Sequence, residues 1–398
     1  MLPVILGSDW NVYGVAFSFY QKYHIHSFAL GIRHQRYTDH LDFLTVETDA
    51  QFMDPRRFLE ILLQFAERHR GEDLLLIPCS DYYMRYIVEN REQLRKFYRF
   101  NVIDLSLYQQ LESKIDFYRL CEKHKIPHPQ TVVVDPSNYR EIALPFGFPI
   151  IAKPNDSFSW VRFPHFEGYK KAFRLETREE LDQLMEKIYG KGYQDAFLLQ
   201  DFIPGGTDAM FVVNAYVDQK GILRMTHAAQ TALDEVLPND VGNYNALISG
   251  DYPELVSMIR DFFEKIPYRG YANFDIKRDV RDGVYKLFEI NMRQGRSSMY
   301  MTYAGNNFVQ YLVDDLVENK PRPYYNHIEE HLWYLVDKSV LLKYTPEALQ
   351  TKVRTLLREK KADYGFSYYS HKNLFRFLLS WRRRISTIRY YPRLAGKS

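Results

Sequence analysis

The stretch Tyr285-Lys286-Leu287-Phe288-Glu289-Ile290-Asn291-Met292-Arg293-Gln294-Gly295-Arg296-Ser297-Ser298 decides how the rest of this chain reads. Glu289, Asn291 and Arg293 alternate within it, and on a strand every second side chain points to the same face. A carboxylate, an amide and a guanidinium on one face build a metal and phosphate site, because hard divalent cations take oxygen ligands and polyphosphates take arginine. Upstream, Asn273-Phe274-Asp275-Ile276-Lys277 reads as a second short strand, ending at a charged run over 278–282 and a Gly283 turn, as in a hairpin. Asp275 can then join Glu289 on the same ion. The plainer alternative is the solvated face of an amphipathic hairpin.

Three further segments weigh against that alternative. Phe146-Gly147-Phe148-Pro149-Ile150-Ile151-Ala152-Lys153-Pro154 is an apolar strand ending in one lysine, suited to setting an ammonium beside a phosphate. Phe197-Leu198-Leu199-Gln200-Asp201-Phe202-Ile203-Pro204-Gly205 is a buried strand running into a Pro-Gly turn, where exposed backbone groups can bond an adenine edge. Lys114 opens a helix with Phe117, Leu120 and Cys121 on its apolar side, which stops before Pro127 and Pro129.

Taken in chain order, Lys114 to Pro129, Lys153-Pro154, Gln200 to Gly205, Asp275 and Glu289-x-Asn291-x-Arg293 resemble the ATP-grasp superfamily. The resemblance implies a mixed α/β and α+β fold. An N-terminal Rossmann-like lobe would precede an ATP-grasp domain holding its nucleotide between two lobes, with a helical extension at the C-terminus. It further implies ATP phosphates on Lys114 and Lys153, adenine at Gln200, Asp201, Phe202 and Ile203, and ribose at Asp208. Asp275, Glu289 and Asn291 match magnesium ligands, with manganese as an alternative ion, and Arg293 matches an arginine that stabilises transferred phosphoryl charge. Arg293 and Lys153 are therefore the expected catalytic residues.

The match narrows at three places. Pro3-Val4-Ile5-Leu6-Gly7-Ser8-Asp9-Trp10-Asn11-Val12-Tyr13-Gly14, Gln200 to Gly205, and Ala272 to Asp275 with Asn291 to Ser298 are similar to the D-aspartate ligases of Gram-positive cell-wall synthesis, over about residues 2–345. That family joins the ATP-activated β-carboxylate of D-aspartate to a lysine amine of the peptidoglycan precursor, so the implied substrates are an amino acid and a muramyl peptide. Arg296, Ser297 and Ser298 are then expected on the amino acid's α-carboxylate, the alternative being a helix start capped by serine. Ser8, Asp9 and Asn11 are candidates for further polar contacts, although Gly7-Ser8-Asp9 also suits a structural turn and lacks the full dinucleotide fingerprint. His165 and His227 are the conceivable bases, and neither is assigned. One departure concerns the lid after Lys153, where no glycine occurs before Gly168; it can still close through backbone N–H groups and Ser157 or Ser159, and no single residue is assigned. Rival readings are a ligase for another acid or acceptor, and a nucleotide-binding regulator without catalysis.

Composition bounds the rest. A chain of 398 residues with 46% apolar and 26% charged residues is ordinary for a globular protein of two or three domains. Strands are expected at Leu2 to Leu6, Ser27 to Gly31, Phe43 to Glu47, Leu74 to Pro78 and Val102 to Leu105, with helices from Val12 to Tyr23 and over about 55–69 and 81–98. The expected domains are 1–110, 111–318 and 319–398. Only Cys79 and Cys121 occur, no secretory leader is evident, and no apolar run nears the roughly 20 residues of a membrane span, so a cytoplasmic protein with free thiols is expected. No nucleic-acid-binding pattern accompanies the charge, and a homodimer suits the superfamily.

The net charge of +3 conceals an asymmetry: residues 371–398 hold Lys372, Arg376, Arg382, Arg383, Arg384, Arg389, Arg393 and Lys397 and no acid, leaving the remainder at −5. Leu374, Phe377, Leu378, Trp381, Ile385 and Ile388 recur there at helical spacing, giving a basic amphipathic helix ending before Pro392. Peripheral membrane contact through 371–391 and packing on the chain's own domain are both open to such a helix.

Overall fold

Leu2–Leu6 is an apolar run buried at every position, and it forms the centre of a five-stranded parallel sheet. The order is Leu44–Thr48, Ser27–Gly31, Leu2–Leu6, Leu74–Pro78, Tyr98–Arg99, which is a doubly wound arrangement. The computed structural model describes residues 1–238, 240, 242–325, 328–367 and 373–395, without the side chains of Ser157 and Phe158. Lys372 and Lys397 of the basic tail lie outside the described residues, as does the Ser157 hydroxyl.

The chain divides into two compact units. The larger comprises 1–105, 206–275 and 290–398; the smaller comprises 106–205 and 276–289. In the smaller, four antiparallel strands in the order Thr131–Val134, Phe197–Asp201, Ile150–Pro154, Phe173–Leu175 carry their own core, with Trp160, Leu181, Met185, Ile188 and Phe197 buried beneath them. A seven-stranded sheet runs Tyr285–Asn291, Gly270–Arg278, Met210–Val217, Leu223–Asp234, Tyr244–Ser249, His331–Tyr334, Ala362–Tyr364. Its first two strands are neighbours joined through Gly283, as the hairpin pattern anticipated.

The expected strand over Val102 to Leu105 does not form. The Ile103 carbonyl accepts from the Arg91 guanidinium at 2.8 Å, as does that of Val102, so these groups do not enter a ladder and the edge strand is Tyr98–Arg99 instead. The helix expected over 81–98 is two, Asp81–Glu89 and Arg91–Leu94, parted at Asn90. Residues 319–398 supply the expected helices, Lys338–Tyr344, Glu347–Arg358 and Leu374–Leu394, and add the short strands His331–Tyr334 and Ala362–Tyr364. The last helix runs through Pro392 to Leu394; only its final turn follows the proline, so few backbone bonds are at stake.

Candidate active site

In the smaller unit, two lysines are brought together. Lys153 ends the Ile150–Pro154 strand and donates to the Tyr118 hydroxyl at 3.0 Å. Tyr118 lies one turn along the helix Lys114–Lys123 and donates its own hydroxyl hydrogen bond to the Phe288 carbonyl at 2.7 Å. Lys114, at the start of that helix, donates to the Asn155 carbonyl at 3.1 Å, while Asn155 Oδ1 accepts from the Ile115 amide. Desolvation lowers the affinity of Lys153 for its proton to about 8, with the Glu289 carboxylate opposing the shift, and Lys114 is lowered for the same reason. Lys153 lowers Lys114 further through its own charge, so both ammonium groups would gain from a nearby anion. Tyr118 was missed in the sequence because it reads simply as another aromatic on an amphipathic helix.

Gln200 is buried and donates to Thr131 at 2.8 Å, and Ile203 is also buried. Asp201 is held by Arg281 through a two-pronged contact of 3.1 and 2.5 Å, and Arg281 also grips the buried Asp279. Phe202 sits between the Arg174 guanidinium at 4.5 Å and the Lys277 ammonium at 5.3 Å. Gly205 takes φ +118°, a region closed to most side chains, which lets the strand turn where the Pro-Gly pair predicted. These contacts fix the backbone of 200–205, and the strand Phe197–Asp201 is paired on both sides, so its backbone is free to bond a ligand only beyond Asp201. Asp208, in the larger unit, lies in the turn Thr207–Ala209, with its carbonyl bonded by Gln230 at 2.7 Å.

The segment after Lys153 departs from a glycine-rich lid in a definite way. It forms the helix Ser157–Arg162, and Trp160 anchors it, 1% exposed, stacked on Tyr169 and Phe163 with its Nε1 donating to the Lys170 carbonyl. Ser159 Oγ bonds the Asp156 carbonyl and the Tyr193 hydroxyl.

In the larger unit, Arg293 and its neighbours meet the N-terminal turn. The Arg293 guanidinium bonds Asp81 at 2.9 Å, the Asn291 amide oxygen at 3.2 Å and the Gln294 carbonyl at 3.1 Å. Burial opposes its charge and the Asp81 carboxylate more than offsets that; its buried Nε has no partner among the described residues. Asp9 caps the helix Trp10–Tyr23 through the Val12 amide, and burial pushes its carboxyl up against the pull of Arg296 and Arg293. Arg296 is half-buried with Asp240 at 3.6 Å. Ser8 donates to the Arg33 carbonyl at 2.7 Å, and Ser297 is buried. Ser298 begins the helix Met299–Tyr303 without capping it and donates instead to Asn214 Oδ1 at 3.1 Å.

That Asn214 oxygen also accepts from the Gly295 amide at 3.1 Å and from Asn273 Nδ2 at 3.2 Å, while Asn273 Oδ1 accepts from Asn291. Gln294 reaches Cys79 Sγ at 3.2 Å, and Asn11 donates to the Cys79 carbonyl. Gly295 is needed for close approach: a Cβ there would stand 2.6 Å from Asn273 Nδ2. Sequence reading missed Asn214 and Asn273 in these roles, since a buried amide in a strand carries no periodic signal, and missed Asp81 as the partner of Arg293 because that contact spans 212 residues.

The expected metal ligands supply suitable chemistry. Two carboxylates and an amide are hard oxygen donors; Asp275 Oδ1 accepts from the Tyr244 hydroxyl at 2.5 Å, and Glu289 is exposed. Among the described residues no three His, Cys, Asp or Glu side chains converge. His227 is fully buried, pushed by desolvation down to about 3, and bonded to Ser249 and Asn306, which makes it a neutral structural group. Both cysteines are buried, with the Cys121 thiol pushed up to about 12.

Comparison with known proteins now narrows the reading. No protein-family profile matches the chain. It is 38% identical over 392 residues to the D-aspartate ligase of Enterococcus faecium (strain Aus0004), covering 95% of this chain and 93% of that one. Its fold is similar to the L-amino acid ligase of Bacillus licheniformis, with TM-score 0.57, 12% identity and coverage of 81% of this chain and 77% of that one. It is also similar to the biotin carboxylase domain of the Hydrogenobacter thermophilus 2-oxoglutarate carboxylase, solved with magnesium ADP, with TM-score 0.63, 13% identity and coverage of 83% and 72%. The fold is thus ATP-grasp, and the chain belongs to the D-aspartate ligase family, an ATP-dependent carboxylate-amine ligase.

Proposed function

We propose that the chain phosphorylates the β-carboxylate of D-aspartate with ATP and joins the resulting acyl phosphate to the lysine side-chain amine of a muramyl pentapeptide. The observation that carries this reading is the 38% identity to a D-aspartate ligase across 95% of the chain. A carboxylate does not condense with an amine in neutral water, so one carboxylate oxygen must first become a leaving group. In the first step that oxygen attacks the γ-phosphorus and ADP departs. In the second the amine, having lost a proton, attacks the carbonyl and phosphate departs.

Phosphoryl transfer asks for positioning and charge neutralisation more than for a protein nucleophile. Lys153 and Lys114 fit the phosphates, and their desolvation would strengthen that contact. The 200–203 backbone fits the adenine edge, with Asp208 at the ribose. Asp275, Glu289 and Asn291 would hold magnesium, or manganese, which when bound neutralises phosphate charge. Arg293, half-buried and braced by Asp81, suits the charge that develops on transfer. Asp9 and Arg296, opposite in sign and electrostatically coupled, suit the ammonium and α-carboxylate of an amino acid, with Ser8, Ser297 and Ser298 around them.

ADP release should be measured with magnesium, ATP and each of D-aspartate, L-aspartate, D-glutamate and D-alanine, with and without a lysine-containing muramyl pentapeptide. Turnover only with D-aspartate plus the pentapeptide is the expected result. Turnover with a different acid would retain the ligase chemistry and remove D-aspartate as substrate.

A further inference from the structure

The helix Leu374–Leu394 packs against the rest of the larger unit with its polar side and turns its apolar side outward. Arg376 is 2% exposed, donates to the Tyr37 carbonyl at 2.8 Å and lies over the Tyr13 ring at 4.9 Å. Arg383 pairs with the buried Glu235 at 3.3 Å, Arg384 lies over Tyr364, and Thr387 and Tyr391 are buried. On the other side Leu374, Phe377, Leu378, Trp381 and Ile388 are 44–75% exposed. At 3.6 residues per turn these five, with Ile385, fall within an arc of roughly 100°. Ordinary packing would have buried that stripe and wetted the arginines.

Along one flank of the stripe stand Arg382, Arg389 and Arg393, all exposed, and the helix holds no acid. Beside that flank opens a cavity of about 470 Å³ lined by Arg33, Arg36, Arg382 and Arg383 over Tyr37 and Phe366, without a lining carboxylate. The buried Nε of Arg383 has no partner among the described residues.

We propose that this face docks on an anionic phospholipid surface, the apolar stripe entering the acyl boundary and the arginine-lined cavity taking headgroup phosphates. A helix of 21 residues, about 31 Å long, with a tryptophan in its apolar stripe and arginines along one edge has the make-up of one lying in the plane of an interface. Among the described residues no helix is long and apolar enough to cross a membrane, so the contact is peripheral. A second copy of the chain is a poorer occupant. Two-fold pairing of this face would set the exposed arginines against their own copies, with no acid on the helix to meet them.

Flotation of the full chain with vesicles of phosphatidylglycerol and phosphatidylcholine, and with phosphatidylcholine alone, tests the proposal. The anionic vesicles should carry the protein at least tenfold more than the neutral ones. Trp381→Glu combined with Phe377→Glu should abolish flotation, and Arg33→Glu combined with Arg36→Glu should weaken it and flatten its salt dependence, all with an unchanged thermal transition. These positions are exposed, so the variants fold. The proposal is overturned if the wild-type chain stays soluble with both vesicles, or if the variants float like wild type. It is equally overturned if Trp381→Glu turns a dimer into a monomer without altering flotation, which would make the face a contact between copies.

Discussion

At the scale of single residues, the properties that matter are protonation and support. Desolvation holds Lys153 near 8, so its charge is partly lost in mildly alkaline solution. Bound polyphosphate favours the ammonium, which makes ATP affinity fall as pH rises through about 8. Lys153→Arg keeps its charge at any working pH and should give a flat profile. A wild-type ATP KM constant from pH 7 to 9.5 would exclude contact between this ammonium and the phosphates. The same shift bears on stability with a defined sign: the unfolded lysine keeps its proton up to about 10.4, so this group adds stability as pH rises between about 8 and 10.4. Arg293 raises a second expectation. If it acts on charge that appears only in transfer, Arg293→Met should lower kcat by about 10²–10³ with the KM for ATP little changed. Asp81→Asn, which removes the 2.9 Å support, should lower kcat less and leave the protein folded.

At the scale of elements, the turn over 293–298 depends on amides that do not touch a substrate in the proposed chemistry. Asn214→Ala would strand the Gly295 amide, the Ser298 hydroxyl and Asn273 Nδ2, each buried, at about 1–3 kcal/mol for an unmet group. The expected result is a clear drop in the urea midpoint together with a raised amino-acid KM; an unchanged midpoint would mean that the network is dispensable. This region also marks what sequence could and could not tell. The strand carrying Glu289 and Asn291 was legible because alternation is a pattern, although it ends at Asn291 and Arg293 follows in the turn beyond it; Leu2–Leu6 and Leu74–Pro78 were legible because fully buried parallel strands are continuous apolar runs bounded by turns. Asn214 and Asp81 were not, because their partners lie 81 and 212 residues away in the chain and no local period encodes that. The missing strand at 102–105 failed for another reason: Arg91, 12 residues before Ile103, took its carbonyl, a side-chain bond that apolar patterning does not reveal. The four residues of His331–Tyr334 and three of Ala362–Tyr364 are too short for any period to declare itself.

At the scale of the whole molecule, charge and stability are tied together at the C-terminus. Residues 371–398 turn a remainder of −5 into a chain of +3, which resembles a detachable basic tail. Its interactions say otherwise. Glu235 is 6% exposed and takes bonds from Arg383 and from the Tyr390 hydroxyl at 3.1 Å, while Tyr391 bonds the buried Asn245 at 2.9 Å. Cutting the chain before residue 374 strips Glu235 and Asn245 of their partners and uncovers the apolar faces of Tyr344 and Tyr364, a loss of several buried contacts at about 1–3 kcal/mol each. Against a total stability of about 5–15 kcal/mol, that loss should leave the truncated chain largely unfolded or insoluble. Trp381→Glu alters a side chain that is 54% exposed and should keep the wild-type urea midpoint. Chemical denaturation of the two proteins side by side separates the helix's two faces: a truncated chain as stable as the wild type would make Leu374–Leu394 an appendage, whereas collapse of the truncation with a stable Trp381→Glu means the inner face holds the fold and the outer face is free for another use.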